Sequence, residues 1–469
     1  MCGIFFASRK LTDFESAAVE NVLIRRGTEG PAWEILDNGW TLGHSLLPVR
    51  GSFPVRQPLP VRSGFLMFTG ELWDSEEDAS DTLELAARVE TLGFQRTVSS
   101  SKGMWALVYV DTESQSVQFC TDWIGEQPLH YCVYEGELFI ASELKALVLC
   151  GVPFHKIEHV KPGCLYRFSS ELSMDRYSHL TSSARNETID PISIRHHLEK
   201  AVEATCTRAD LQKVGLLISG GLDSTIIAHH AAKLGVRKAW TVATSPQCSD
   251  AISAGKVAQK LGLDWELMCV EPVAVELAII ASEVRNRSVL EESCLHIPLA
   301  KHIADCGVRV LLTGAGADEL FIGYSHLLRR LPRDALQERF LNDYHKLDLR
   351  ALNKVYGGYS IELRSPFLHP DVVHLALDMA PRTLIGPKTQ LKWPLRVAYR
   401  DELGEICDKP KLIARETMGA KAWFAERYSD GARAFHRLWR DTLSDPEKIL
   451  DLLPHVSREH SIHQSIVLR

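Results

Sequence analysis

Ser219-Gly220-Gly221-Leu222-Asp223-Ser224 follows the apolar run Val214-Gly215-Leu216-Leu217-Ile218 and opens a helical stretch. Strand, glycine turn and helix in that order make an anion cradle. The first N–H groups of the helix point at the anion, the helix dipole favours it, and the glycines allow close approach. A turn built to transfer a terminal phosphate ends in Gly-Lys-Ser/Thr, and this one has no lysine.

The turn resembles the pyrophosphate loop of N-type ATP pyrophosphatases. That resemblance implies ATP as cosubstrate, cleavage at the α-phosphate, adenylation of a carboxylate and release of pyrophosphate. The amino terminus reads Met1-Cys2-Gly3-Ile4-Phe5-Phe6. Removal of Met1 leaves Cys2 as both nucleophile and free α-amine, and an amine titrating near ~7.7 to 8.0 can act as base for a thiol near ~8.5. The two motifs in this order resemble the glutamine-dependent asparagine synthetases, and the resemblance covers nearly the whole chain.

Bulk properties are compatible with that resemblance. A chain of 469 residues with 45% hydrophobic content accommodates two or three domains. The net charge of −7 is spread along the chain, with no nucleic-acid patch or acidic tail. Eleven cysteines are scattered without CxxC or Cys/His spacing, which indicates neither a disulfide framework nor a zinc site and suits a reducing compartment. No signal segment precedes Cys2 and no apolar run approaches ~20 residues, so a soluble cytoplasmic protein is expected, without nucleic-acid or membrane partners. The sequence is silent on oligomeric state, and a homodimer stays open.

Up to about residue 170, short strands at 65–68, 105–110 and 117–120 are interrupted by an amphipathic helix around 83–92, a layered domain rich in antiparallel sheet. Residues 160–163 and 181–186 read as exit and linker. From His196, helices alternate with apolar strands through the glycine turn, 239–243 and 308–312, which predicts a parallel sheet with helices on both faces. After about Pro332 the pattern is mostly helical. The fold class is α/β. With the resemblance, residues 1–178 are expected to be an Ntn-hydrolase-like αββα domain of the class II glutamine amidotransferase type. Residues 187–469 are expected to be an ATP-pyrophosphatase domain like that of asparagine synthetase, with a helical C-terminal part.

Leu312-Thr313-Gly314-Ala315-Gly316-Ala317-Asp318-Glu319 resembles the family segment SGEGADE. The match implies that Ser219, Gly220, Gly221, Asp223, Ser224 and Gly314 bind ATP and pyrophosphate, with Asp223 and Asp318 on Mg²⁺. That cation takes one or two carboxylates together with phosphates and water. The plainer role of either Asp is a helix N-cap. Ala315 departs from the family, standing where the first Glu of SGEGADE would be.

Ile361-Glu362-Leu363-Arg364-Ser365-Pro366-Phe367-Leu368 resembles EARxPFLD, with His369 for the closing Asp. It implies Glu362 as a catalytic residue at the acyl-adenylate step, the alternative being a structural pair with Arg364. Lys392 and Lys411 match positions that hold pyrophosphate or stabilise the transition state, where growing negative charge needs fixed positive charge. Solvated helix lysines are the alternative.

In the amidotransferase half the resemblance implies Cys2 as nucleophile, Gly70 and Thr69 at the oxyanion hole, and Asp81 on the glutamine amine. Thr69 stands where the family has Asn. The carboxylate-binding Arg is missing, with Leu46 at its position and Arg50 a nearby substitute. Losing one oxyanion donor costs ~2.7 to 4 kcal/mol of transition-state stabilisation, so the amine donor stays open between glutamine, free ammonia and an amine on the substrate. β-Lactam synthetases share both domains with a dead glutaminase pocket, and residues 121–125 and 409–412 are similar to theirs. Those enzymes use a Tyr/Glu dyad as base; Ala315 stands at the Tyr position, and the Glu has no assigned position in this sequence. The sequence therefore predicts an ATP-dependent amide-forming ligase. An intramolecular amide-closing enzyme and a non-catalytic protein of the same fold are the alternatives.

Overall fold

Along the strand Gly3–Ala7, Phe5 and Ala7 pack with Val19, Val22, Leu144 and Leu147, while Ile4 and Phe6 pack with Met67, Val108 and Phe119. A strand whose alternate residues enter two apolar clusters lies between a helix layer and a second sheet. The computed structural model describes residues 1–49, 54–75, 80–178, 186–206, 209–324, 344–428, 431–453 and 466–468.

Two six-stranded antiparallel sheets face each other in the first unit. One has the order Glu158–His159, His130–Tyr134, Glu137–Ala141, Gly3–Ala7, Thr41–Ser45, Ala32–Ile35. The other runs Leu172–Arg176, Cys164–Phe168, Ser116–Thr121, Gly103–Asp111, Gly64–Leu72, Leu59–Val61. Helices Asp13–Leu23 and Leu144–Leu149 cover the outer face of the first, and Asp81–Leu92 and Phe94–Ser100 that of the second. These are the four layers of the expected αββα arrangement. The segment 160–163 is a turn inside this unit rather than its exit, because two further strands follow it and the Tyr177 N–H donates to the Gly163 carbonyl. Of the expected linker, residues 181–185 lie outside the described residues.

The second unit is built on a sheet of order Glu362–Arg364, Val310–Leu312, Val214–Leu217, Lys238–Ala243, Asp264–Cys269, Ile466–Leu468, with its first five strands parallel. Val214, Leu216 and Ala239 pack against helices Pro191–Cys206 and Leu222–Lys233 on one face. Trp240, Val242 and Leu311 pack against Val275–Ser282 and Arg287–Asp305 on the other. The predominantly helical tail is interrupted by the buried three-residue strand Glu362–Arg364, too short for any periodicity to reveal. No described helix is long and apolar enough to cross a membrane.

Candidate active sites

The turn after Val214–Leu217 leads into helix Leu222–Lys233, whose N-cap is Gly221 and receives no side-chain capping bond. Gly220 holds φ of 72°, and a Cβ there would stand 2.3 Å from backbone carbon of Ser253, so the turn needs glycine on both counts. Ser219 and Ser224 close it, with the Ser224 hydroxyl accepting from the Ser219 N–H at 3.2 Å. Gly314, at the end of the neighbouring strand, backs onto this helix start: a Cβ on it would lie 2.6 Å from the Ser224 nitrogen. The two glycine turns are thereby pressed together.

That packing sets Asp223 beside Asp318. Neither caps its helix, since the N-caps are Gly221 and Gly316. The Lys392 ammonium lies 2.5 Å from Asp223 Oδ2 and 2.5 Å from Asp318 Oδ1, and Lys411 lies 2.6 Å from Asp318 Oδ2. Lys392 is buried and adopts φ of 57°, a left-handed conformation that costs a non-glycine residue about 1 kcal/mol and is characteristic of functional positions. Burial works against ionisation of Asp318, but Lys392 and Lys411 outweigh it and hold its carboxyl at about 2. Burial likewise opposes the Lys411 charge, and Asp318 and Asp223 push it above the usual lysine range.

This donor set suits Mg²⁺. The two carboxylates flank the Lys392 ammonium, and Asp223 Oδ1 is buried with no hydrogen-bond partner, a group that a hard cation would satisfy.

Four acids around Lys411 complete the site, and of these only Glu319 fell within a recognised motif. Burial and the Asp318 charge push Glu319 up to about 8, and the Tyr324 hydroxyl donates to it at 2.7 Å. Burial and Asp348 push Glu292 up to about 8. Burial raises Asp348 to about 6, and Asp250 also to about 6. Nothing in the local sequence marks Glu292, Asp348 or Asp250, because they arrive through helix packing.

Glu362 lies elsewhere. Arg364, fully buried, donates to Glu362 Oε1 at 2.8 Å, to Glu71 Oε1 at 2.7 Å and to the Thr205 carbonyl at 2.7 Å. The Glu362 charge acts on the Met1 amine and the Cys2 thiol. The structure thus brings Asp223, Asp318, Lys392 and Lys411 together and sets Glu362 at the junction of the two units.

At the amino terminus, the Cys2 sulfur accepts from the Leu47 N–H at 3.3 Å, and burial raises its thiol above the ordinary value. The Met1 amine is fully buried, and burial lowers it to about 5. The Cys2 carbonyl accepts from Arg26 Nε at 2.9 Å and from the Thr69 hydroxyl at 3.2 Å. Thr69 therefore directs its hydroxyl to the Cys2 backbone. Gly70 follows with φ of 126°, where a Cβ would strike the Met104 carbonyl at 1.9 Å. Asp81 opens helix Asp81–Leu92 and accepts from the Leu72 N–H at 3.2 Å and the Ser75 hydroxyl at 2.8 Å. The Leu46 carbonyl accepts from the Thr28 and Glu29 N–H groups, and its side chain offers no cation to a carboxylate. Arg50 lies outside the described residues. In the segment 121–125, the Asp122 carboxylate gathers the N–H groups of Ile124, Gly125 and Glu126, a loop-building role.

Comparison with known proteins agrees with both halves. Residues 1–161 match the glutamine amidotransferase domain model, and residues 193–339 and 327–467 match the asparagine synthase model. The chain is 27% identical to a glutamine-hydrolysing asparagine synthetase of Brassica oleracea, over 92% of this chain and 78% of that protein. It is 27% identical to asparagine synthetase 1 of Arabidopsis thaliana, over 95% and 80% of the two chains. Among solved structures, a glutamine phosphoribosylpyrophosphate amidotransferase from B. subtilis aligns over 92% of this chain and 94% of its own, at 14% identity and a TM-score of 0.31. With an amidotransferase segment followed by a synthase segment, and with the synthase model spanning more than half its length, the chain belongs to the asparagine synthetase family.

Proposed function

We propose that the protein is a carbon–nitrogen ligase that adenylates a substrate carboxylate with ATP, releases pyrophosphate and passes the acyl group to an amine. The observation that carries this reading is the convergence of Asp223 and Asp318, from two glycine turns, on Lys392 and Lys411. Mg²⁺ held by the two carboxylates would neutralise the polyphosphate and stabilise charge on the departing pyrophosphate. The residues of the chain do the rest. Gly220, Gly221 and the first turn of Leu222–Lys233 present N–H groups to phosphate oxygens. Lys392 and Lys411 supply fixed positive charge in a half-enclosed site. Ala315 stands where the family segment has its first Glu, so it offers no carboxylate to the site.

The amine source is the second part of the proposal. The Thr69 hydroxyl is engaged by the Cys2 carbonyl, and Leu46 stands where a cation would bind the glutamine carboxylate. Both support slow glutamine hydrolysis and use of free ammonia or a substrate amine, as in an amide-closing enzyme. The preserved carboxylate–lysine cluster speaks for catalysis over a purely binding role.

Pyrophosphate exchange into ATP, measured across a panel of carboxylates with Mg²⁺, tests the adenylation step. Exchange with one class of acid, and AMP as the product on adding ammonia, is expected. ADP formation, or no exchange with any acid, would overturn the reading.

A further inference from the structure

We propose that Glu266, His302 and Cys306 form a zinc site on the face of the parallel sheet covered by helix Arg287–Asp305. Glu266 Oε2, His302 Nε2 and Cys306 Sγ all lie within 4.8 Å of one another, and each of the three residues is half-buried. The imidazole nitrogen stands 2.8 Å from the carboxylate oxygen and 3.8 Å from the sulfur. Tetrahedral zinc, with Zn–S of ~2.3 Å and Zn–N and Zn–O of ~2.0 to 2.2 Å, places neighbouring donors roughly 3.3 to 3.6 Å apart. Closure needs the nitrogen and oxygen to part by about half an ångström, the sulfur to approach the nitrogen by a few tenths, and the sulfur and carboxylate, within 4.8 Å of each other, to draw up to the same spacing, all by side-chain torsions.

The fold supplies this trio. His302 and Cys306 are four residues apart across the last turn of the helix, where the Cys306 N–H donates to the His302 carbonyl at 3.0 Å, so both side chains project from the same stripe. Glu266 is the third residue of strand Asp264–Cys269 and meets them by strand–helix packing. The Trp240 indole donates to Glu266 Oε2 at 3.2 Å, the kind of outer contact that orients a ligating carboxylate. The proposal departs from the sequence reading, which indicated no zinc site: His302 and Cys306 stand four residues apart, and the third donor lies 36 residues from His302.

The donor set also separates this site from the catalytic one. One sulfur, one nitrogen and one oxygen select a borderline ion such as zinc, whereas Asp223 and Asp318 offer only hard oxygen. Three protein ligands leave the fourth position to water. The end of the helix and the beginning of the strand place the site at the sheet end opposite the glycine turns, so its role is to clip the helix to the sheet. It does not depend on the proposed ligase reaction.

Full-length protein stripped of metal is titrated with Co²⁺, a spectroscopic substitute for zinc. One equivalent should produce thiolate-to-cobalt charge-transfer absorption that one equivalent of Zn²⁺ removes. Cys306→Ser should abolish the band, and His302→Ala and Glu266→Gln should each weaken zinc binding at least about tenfold. Asp223→Asn should keep the band, since carboxylate-bound cobalt gives none. Zinc K-edge absorption on the unmodified protein provides a reading that needs no variant: one sulfur and a mixed nitrogen/oxygen shell are expected. No thiolate band at saturating cobalt, a band undiminished in Cys306→Ser, or an all-oxygen zinc shell would overturn the site.

Discussion

Lys411 and Lys392 both touch the paired aspartates, yet their surroundings make them different probes. The Lys411 side chain is 34% exposed, so its removal leaves no buried hole, while Lys392 is buried and its loss would leave two carboxylates facing each other. Lys411→Ala is therefore the cleaner test of chemistry. It should lower pyrophosphate exchange by ~10² to 10³, the usual effect of removing one charge-stabilising donor, with the melting temperature nearly unchanged. A proportionate loss of both would assign Lys411 to structure. Glu362 should behave in the opposite way. Its carboxylate is buried against Arg364, so Glu362→Gln should destabilise the protein by on the order of 3 kcal/mol, read by urea unfolding, and leave the ammonia-dependent kcat of the folded fraction largely intact. A large fall in kcat at unchanged stability would return Glu362 to the acyl-adenylate step.

Helix Arg287–Asp305 carries a pH signature of its own. It begins with Asn286 accepting from the Ser288 and Val289 N–H groups, and its first turns present Glu292 to the Asp348 and Lys411 neighbourhood. Glu292 titrates at about 8 in the folded chain, against ~4.3 for a free glutamate. Between those values the native state holds a proton that the unfolded chain has lost. Stability from this group is therefore full below the lower value and declines as pH rises to the upper one. The melting temperature should fall between about pH 5 and about pH 9, and Glu292→Gln should flatten that slope. An unchanged slope would show that another acid, with Glu319 first in line, sets it. The same element shows where reading the sequence succeeds and where it stops. The strands read at 65–68, 105–110 and 117–120 lie inside Gly64–Leu72, Gly103–Asp111 and Ser116–Thr121, and were legible because alternate residues enter different cores. The glycine turns were legible because their backbone demands are local. The strand Glu362–Arg364 was not legible because a fully buried strand of three residues has no polar alternation, and Glu292, Asp348, Glu266 and His302 acquire meaning only through helix packing.

At the scale of the whole molecule, a buried network of charges joins the two units. Glu283, in the left-handed conformation after helix Val275–Ser282, accepts from the Leu144 and Lys145 N–H groups at 2.9 Å each, so an acid of the second unit caps a helix of the first. Lys354 donates to Glu283, to Glu143 and to the Ser142 carbonyl, while Lys145 lies 2.5 Å from Glu143 and 3.1 Å from Glu283, and Arg26 pairs with Glu143. Three cations thus share two carboxylates away from water. Burial lowers the Lys354 ammonium despite both acids, which shows how little surplus the network holds. Arg26 also carries the Cys2 carbonyl, so the interface and the amino-terminal pocket are mechanically one piece. Glu283→Gln leaves Lys354 and Lys145 with one compensating charge and should cost about 3 to 5 kcal/mol in urea unfolding. Because the capping amides and the shared network straddle the interface, the loss should appear as earlier proteolytic separation of the two units. Lys354→Met in the Glu283→Gln background should recover part of it, since removing the stranded cation replaces an unpaired charge with apolar contact. If the double variant is as unstable as the sum of the singles, the network is not a coupled unit and the interface rests on the apolar contact around Phe154 and Trp439 instead.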